Sequence, residues 1–148
     1  MMEDPIKESA ALKLGKRGAL VIIGACPGRN EDKEGRPFSP NGDSGRKLRA
    51  LYADFDDATL INVSARARYQ PRDTRTLPTV AECLADGRHI ALLRRVITKA
   101  RSNGSKIRVV GAVSRDVLKR LGISFDEEIP HPSGRNYRWW KWLRDHGK

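Results

Sequence analysis

LVIIGACPGRNEDKEGRPFSPNGDSGRKL, residues Leu20 to Leu48, continues an apolar run that starts at Ala19, is rich in β-branched residues through Ile23 and closes at Gly24. So short a run, with no polar residue to face water, reads as a central parallel strand buried on both faces. A long loop of Pro, Gly and charged residues follows, and Lys47, Leu48 and Leu51 then begin a helical pattern. Loops leaving the carboxyl end of such a strand are where open α/β sheets place their ligands. One aromatic, Phe38, stands in this loop behind Gly35 and Pro37.

Outward from this stretch the alternation of strand and helix recurs. The first helix is expected from near Ser44 to Phe55, burying Leu48, Leu51, Tyr52 and Phe55. A second strand is TLINV, 59–63, followed by the basic, Pro-containing loop SARARYQPRDTRTL. Thr79 caps the next helix, with Glu82 three residues on as its capping-box partner. That helix bends at Asp86-Gly87 and resumes through Ile90, Leu93, Val96 and Ile97. The third strand is KIRVVG, 106–111; Ser114 is expected to cap a helix over 115–121 that stops at Gly122. A short extended piece from Phe125 to Pro130 delivers the loop HPSGRN, 131–136, and YRWWKWLRDHGK closes the chain as a basic-aromatic helix. Residues 1–17 read as a polar arm and 18–148 as a single domain. The alternation predicts right-handed β-α-β crossovers and a parallel sheet of four strands.

Twenty-nine basic residues against eighteen acidic ones leave a formal charge of +11. Such an excess argues for a polyanionic partner, nucleic acid first. The basic residues thicken over 88–120 and 135–148. Two cysteines, Cys26 and Cys83, are too few for a disulfide framework or a four-thiolate site and suit a reducing, cytoplasmic compartment. The amino-terminal residues lack the apolar core of a signal peptide, and no run approaches membrane-spanning length. His89 and His146 read as exposed helix residues, and no His/Cys spacing suggests a metal.

Taken together, GACPGRNEDKEGRPF (24–38), LINVSARAR (60–68) and HPSGRN resemble the uracil-DNA glycosylase superfamily, nearest its thermophile-type, iron–sulfur members. The three motifs occur in the family's order at the ends of strands one, two and four, and the resemblance runs from about residue 19 to 140. It implies a single-domain, three-layer α/β/α fold with a four-stranded parallel sheet in the order 2-1-3-4. It also implies a DNA glycosylase of base excision repair that removes uracil or a related deaminated or 5-substituted pyrimidine. Gly24, Ala25, Cys26, Phe38 and Asn62 would then form the base pocket. Ser133, Gly134, Arg135, Asn136 and Tyr137 would contact DNA, with Tyr137, Arg138 or Trp139 as a wedge in the vacated stack. His131 and Asn62 would be the catalytic residues.

The residue chemistry fits those roles. An enzyme that acts on a base takes it out of the stack and holds it in a pocket. Phe38 offers an aromatic face, and Asn62 an acceptor and donors for the O4 and N3–H edge of uracil. His131, stiffened between Pro130 and Pro132, can donate to the anion that leaves the sugar, an interaction typically worth ~10²–10³ in rate. The segment Gly42 to Lys47 reads as a DNA-facing helix start.

The chain also departs from the pattern. Ala25 stands where the iron–sulfur members carry an acid, and Cys26 where other branches carry Asp or Asn. Cys83 falls at one cluster position, but the remaining thiols are absent, which excludes a [4Fe–4S] cluster by count. Glu31 and Asp32, the nearest acids, read as ordering the loop. A missing general base would cost about 10²–10⁴ in rate. The expectation is therefore a monomeric DNA glycosylase of weakened activity, without metal or cofactor. The alternatives are a non-catalytic reader of a modified base and an enzyme of free pyrimidine nucleosides or nucleotides, against which the +11 charge speaks.

Overall fold

The computed structural model of the chain describes residues 6–132 and 136–146. It is a mixed α/β fold in which five strands form one sheet, in the order β1-β3-β2-β4-β5. The strands are β1 (Leu12–Lys13), β2 (Val21–Gly24), β3 (Thr59–Asn62), β4 (Ile107–Val110) and β5 (Glu127–Ile129). β2 to β5 pair in parallel, and β1 runs antiparallel to β3. The helices are α1 (Arg29–Glu34), α2 (Asp43–Leu51), α3 (Val80–Ala85), α4 (Gly87–Ser102), α5 (Ala112–Leu121) and α6 (Tyr137–Asp145), with a 3₁₀ turn over Phe55–Asp57. No helix among the described residues is long and apolar enough to cross a membrane.

The apolar run at the head of β2 fills both faces of the sheet. Val21 and Ile23 join a core that includes Cys83, Leu93, Val96 and Val117 from α3, α4 and α5. Ile22 points the other way, to Leu48, Phe55, Leu60 and the partly buried Trp142 of α6. Pleat alternation thus sends successive residues of one short strand into two cores, so that helices cover each face.

Three expectations are corrected. The sheet has five strands, because residues assigned to a polar arm pair with β3. Ala11 and Leu12 are buried, and the Asn62 backbone N–H donates to the Ala11 carbonyl at 2.9 Å. An apolar pair amid polar residues is too short to show a period, yet it closes the open edge of β3. Second, the loop after β2 contains α1. The Gly28 N–H donates to Glu31 Oε1 at 2.9 Å, and Gly35, at φ 73°, ends the helix. Third, Ser114 caps nothing. Gly111, at φ 88°, turns β4 directly into α5, and the buried Ser114 hydroxyl instead donates to the Val110 carbonyl at 2.9 Å. The capping box at Thr79 does form: Glu82 N–H donates to Thr79 Oγ1 at 3.1 Å, and Glu82 Oε1 accepts from Thr79 N–H at 3.3 Å. The bend at 86–87 separates α3 from α4, and the Asp86 side chain accepts from the His89 N–H to start α4.

Candidate active site

Parallel register sets the geometry of the site. Gly24 pairs with Asn62, and Val110 with Ile129, so the ends of four strands deliver their loops to one edge of the sheet. There lies a cavity of about 530 Å³. Gly24, Ala25, Cys26, Phe38, Asn62, His131 and Asn136 line it, together with Asp43 and Ser44 from the first turn of α2 and Arg68, Thr76 and Leu77 from the loop before α3. Sequence segments more than a hundred residues apart therefore meet. Ser133, Gly134 and Arg135 lie outside the described residues. Tyr137, at 71 % exposure, stands on the surface just beyond Asn136.

At the base of the cavity three residues share one spot. A Cβ on Gly24 would stand 2.5 Å from Phe38 Cζ and 2.7 Å from Asn62 Oδ1. Only glycine lets the ring and the amide converge there. Phe38 itself sits at φ 48°, left-handed backbone that costs a non-glycine residue about 1–2 kcal/mol. Its neighbours hold it in place. Arg49 Nη1 donates to the Phe38 carbonyl at 2.5 Å, Glu31 Oε2 accepts from the Ser39 N–H at 2.9 Å, and Phe55 meets the ring edge-on at 5.9 Å. The Ser39 hydroxyl, the Arg36 guanidinium and the Asn41 amide hold the Glu34 carboxyl down to about 2, so this carboxylate clamps the loop at any physiological pH.

Asn62 is 3 % exposed, and among the described residues its side-chain amide has no hydrogen-bond partner. Its backbone, by contrast, is tied on both sides. The carbonyl accepts from His89 Nε2 at 2.7 Å, in the interior. A carbonyl can only accept, so Nε2 carries a proton. The expectation of an exposed His89 is therefore corrected: the residue is buried and holds the backbone of Asn62. His89, Leu93, Val96 and Ile97 share one helical stripe, and the hydrogen bond to Asn62 is what lets a polar residue stand on it.

His131 faces α2, with its Nε2 3.4 Å from Ser44 Oγ. Burial lowers its pKa below the ordinary 6.5, while Asp43 raises it and Lys47 lowers it, so the ring is neutral at pH 7. Asn136 spends its side-chain amide locally. Nδ2 donates to the His131 carbonyl at 2.9 Å, and Oδ1 accepts from the Arg138 N–H, capping α6. It thus fastens the His131 loop to the helix that follows.

Neither Ala25 nor Cys26 offers a free acid or base. Ala25 is buried, and burial pushes the Cys26 thiol up to about 11, with Sγ donating to the Thr76 carbonyl at 3.4 Å. A protonated thiol is neither nucleophile nor base. The carboxylates lining the cavity are Glu31, occupied by Gly28 and Ser39, and Asp43, paired with Arg46 and Lys47 at 3.0 Å each. Asp43 and Ser44 belong to the segment expected to face DNA, whereas Arg68, Thr76 and Leu77 were not expected here. Only the fold brings their loops to the same edge. Among the described residues no group of three His, Cys, Asp or Glu side chains is placed to hold a metal ion. No protein-family model matches the chain, and no curated protein matches it.

Proposed function

We propose that the protein is a DNA glycosylase that extrudes uracil, or a related deaminated or 5-substituted pyrimidine, and hydrolyses its N-glycosidic bond. The observation that carries this reading is the Asn62 amide, which lines the cavity beside the Phe38 ring and has no side-chain partner among the described residues. A ligand edge with matching donor and acceptor would take up the hydrogen bonds that this amide does not make within the protein. The mostly parallel sheet, which carries the loops of four strands to this cavity, supports the reading as well.

The chemistry follows from the groups present. As the C1′–N1 bond breaks, its electrons pass to the base, and the neutral His131 ring donates to the developing anion at O2. Water then adds to C1′, and the proton it gives up neutralises the departed base anion. With Ala25, a protonated Cys26 and both nearby carboxylates engaged, stabilisation of the leaving base carries most of the rate. A slow enzyme results. Those same positions favour one second reading, a protein that recognises a damaged base without removing it. Oligonucleotides with different lesions, single-stranded and duplex, incubated with the protein and then cleaved with alkali, separate the two. Strand breaks at uracil support the glycosylase; binding without breaks at any lesion supports the reader.

A further inference from the structure

Among the described residues four large hydrophobic side chains are exposed: Leu14, Leu77, Tyr137 and Trp140. Three of them are tied to one cavity, Leu77 directly and Tyr137 and Trp140 through their neighbours. Leu77 lines it, Tyr137 follows the cavity-lining Asn136, and the Lys47 ammonium, one turn beyond Asp43 and Ser44, lies 5.8 Å from the Trp140 ring. The sequence of α6 makes this arrangement. Trp139, 2 % exposed, and Trp142, stacked on it at 5.6 Å, fasten the helix to the core. Tyr137, Trp140, Lys141 and Arg144, at i, i+3, i+4 and i+7, share another face, and all four are exposed. Aromatic rings left in water forgo the burial that stabilises them elsewhere. Rings interleaved with cations suit a partner that offers flat faces and negative charge together, and unpaired nucleotides offer both.

We propose that this face of α6 is a platform for single-stranded DNA. Unpaired bases flanking the nucleotide held in the cavity stack on Tyr137 and Trp140, while Arg138, Lys141 and Arg144 meet the phosphates. The inference rests on the glycosylase reading and adds the form of the substrate: an unpaired strand, not an intact duplex. Within a duplex each base face is covered by its neighbours, so only an unpaired strand has faces to give. An acidic polypeptide would satisfy the cations and leave the rings bare.

The test compares a uracil-bearing single-stranded oligonucleotide with the same strand fully paired, measuring affinity by fluorescence anisotropy at one low salt concentration. Wild type binds the single strand more tightly. Trp140→Ala and Tyr137→Ala each weaken that binding about 5- to 100-fold, the usual worth of one stacked base, and leave the weaker duplex binding nearly unchanged. Trp140→Phe keeps most of the affinity. Thermal melts of each variant, run beside wild type, separate a loss of binding from a loss of folding. A fluorescent purine beside the uracil, quenched on stacking, gives a readout independent of affinity. Equal losses on both substrates, or no loss in either alanine variant, overturn the platform. Tighter binding of an acidic polypeptide than of the single strand also overturns it. Excision on the same substrates keeps the two readings apart. Excision with unaltered binding in the variants sinks only the platform, whereas ring-dependent binding without any excision supports the platform and sinks the glycosylase.

Discussion

The residue that does most to fix the site does not itself line the cavity. His89 holds the Asn62 carbonyl from behind at 2.7 Å, in the interior, so the Asn62 side-chain amide hangs from a fixed backbone. His89→Ala would strand a buried carbonyl and should cost about 1–3 kcal/mol of stability, read from denaturant unfolding. His89→Gln keeps an N–H donor and should recover most of the loss. If glutamine fares no better than alanine, packing and not the hydrogen bond is what His89 supplies. His131 lends itself to a pH test. Burial pulls it below 6.5, so the unfolded chain takes up a proton first as pH falls. The stability tied to its neutral ring is therefore present above 6.5 and is lost as pH drops through the lowered value. Thermal midpoints from about pH 8 to about pH 5 should fall more for wild type than for His131→Gln. Parallel curves would put the ring in solvent. Phe38, Asn62 and His131 were legible because each stands in a motif at a strand end. His89 was not, since one polar residue on an apolar helical stripe looks like a boundary until the fold gives it a partner.

Among the elements, legibility followed length and punctuation. β2, β3 and β4 are short apolar runs between turn residues, and α3 announces itself through Thr79 and Glu82. β1 and α1 gave no such warning. α1 reads RNEDKE, has no buried residue, and exists because Glu31 reaches back to Gly28 and forward to Ser39. It is a device for holding a loop, with no core face to show a period. β1 is two residues long, and its information lies in tertiary pairing: Leu12 is fully buried against the core that Ile61 and Ile23 share. Leu12→Ala should therefore cost about 2–5 kcal/mol, as buried leucines do, where a dispensable arm would give almost nothing. Urea unfolding of that variant decides the matter. A loss under about 0.5 kcal/mol, the range of ordinary surface substitutions, would return the segment to the status of an arm.

For the molecule as a whole, ion pairing decides which cations near the cavity are left for a partner. Many cations near the cavity are already matched: Arg46 and Lys47 by Asp43, Arg66 and Arg72 by Asp73, Arg68 and Arg75 by Glu82. Although burial pushes Asp73 up, hydrogen bonds from Arg66, the Tyr69 N–H and Arg72 hold it down to about 2, so its pairs persist at neutral pH. A net charge of +11 must then act through cations without such partners. Among the described residues Arg138, Lys141 and Arg144 of α6 have no ion-pair partner, and they flank the exposed rings. This sets a quantity for single-strand binding. Each phosphate neutralised on a single strand contributes about −0.7 to the slope of log affinity against log salt, so three contacts give a slope near −2. Lys141→Ala should lower affinity at every sequence and flatten the slope by about 0.7, whereas Trp140→Ala should lower affinity and leave the slope unchanged. Titrations at several salt concentrations resolve the two behaviours. A flat wild-type response would remove phosphate contact from the binding altogether, and an unaltered slope in Lys141→Ala would move the anionic strand to a different face of the protein.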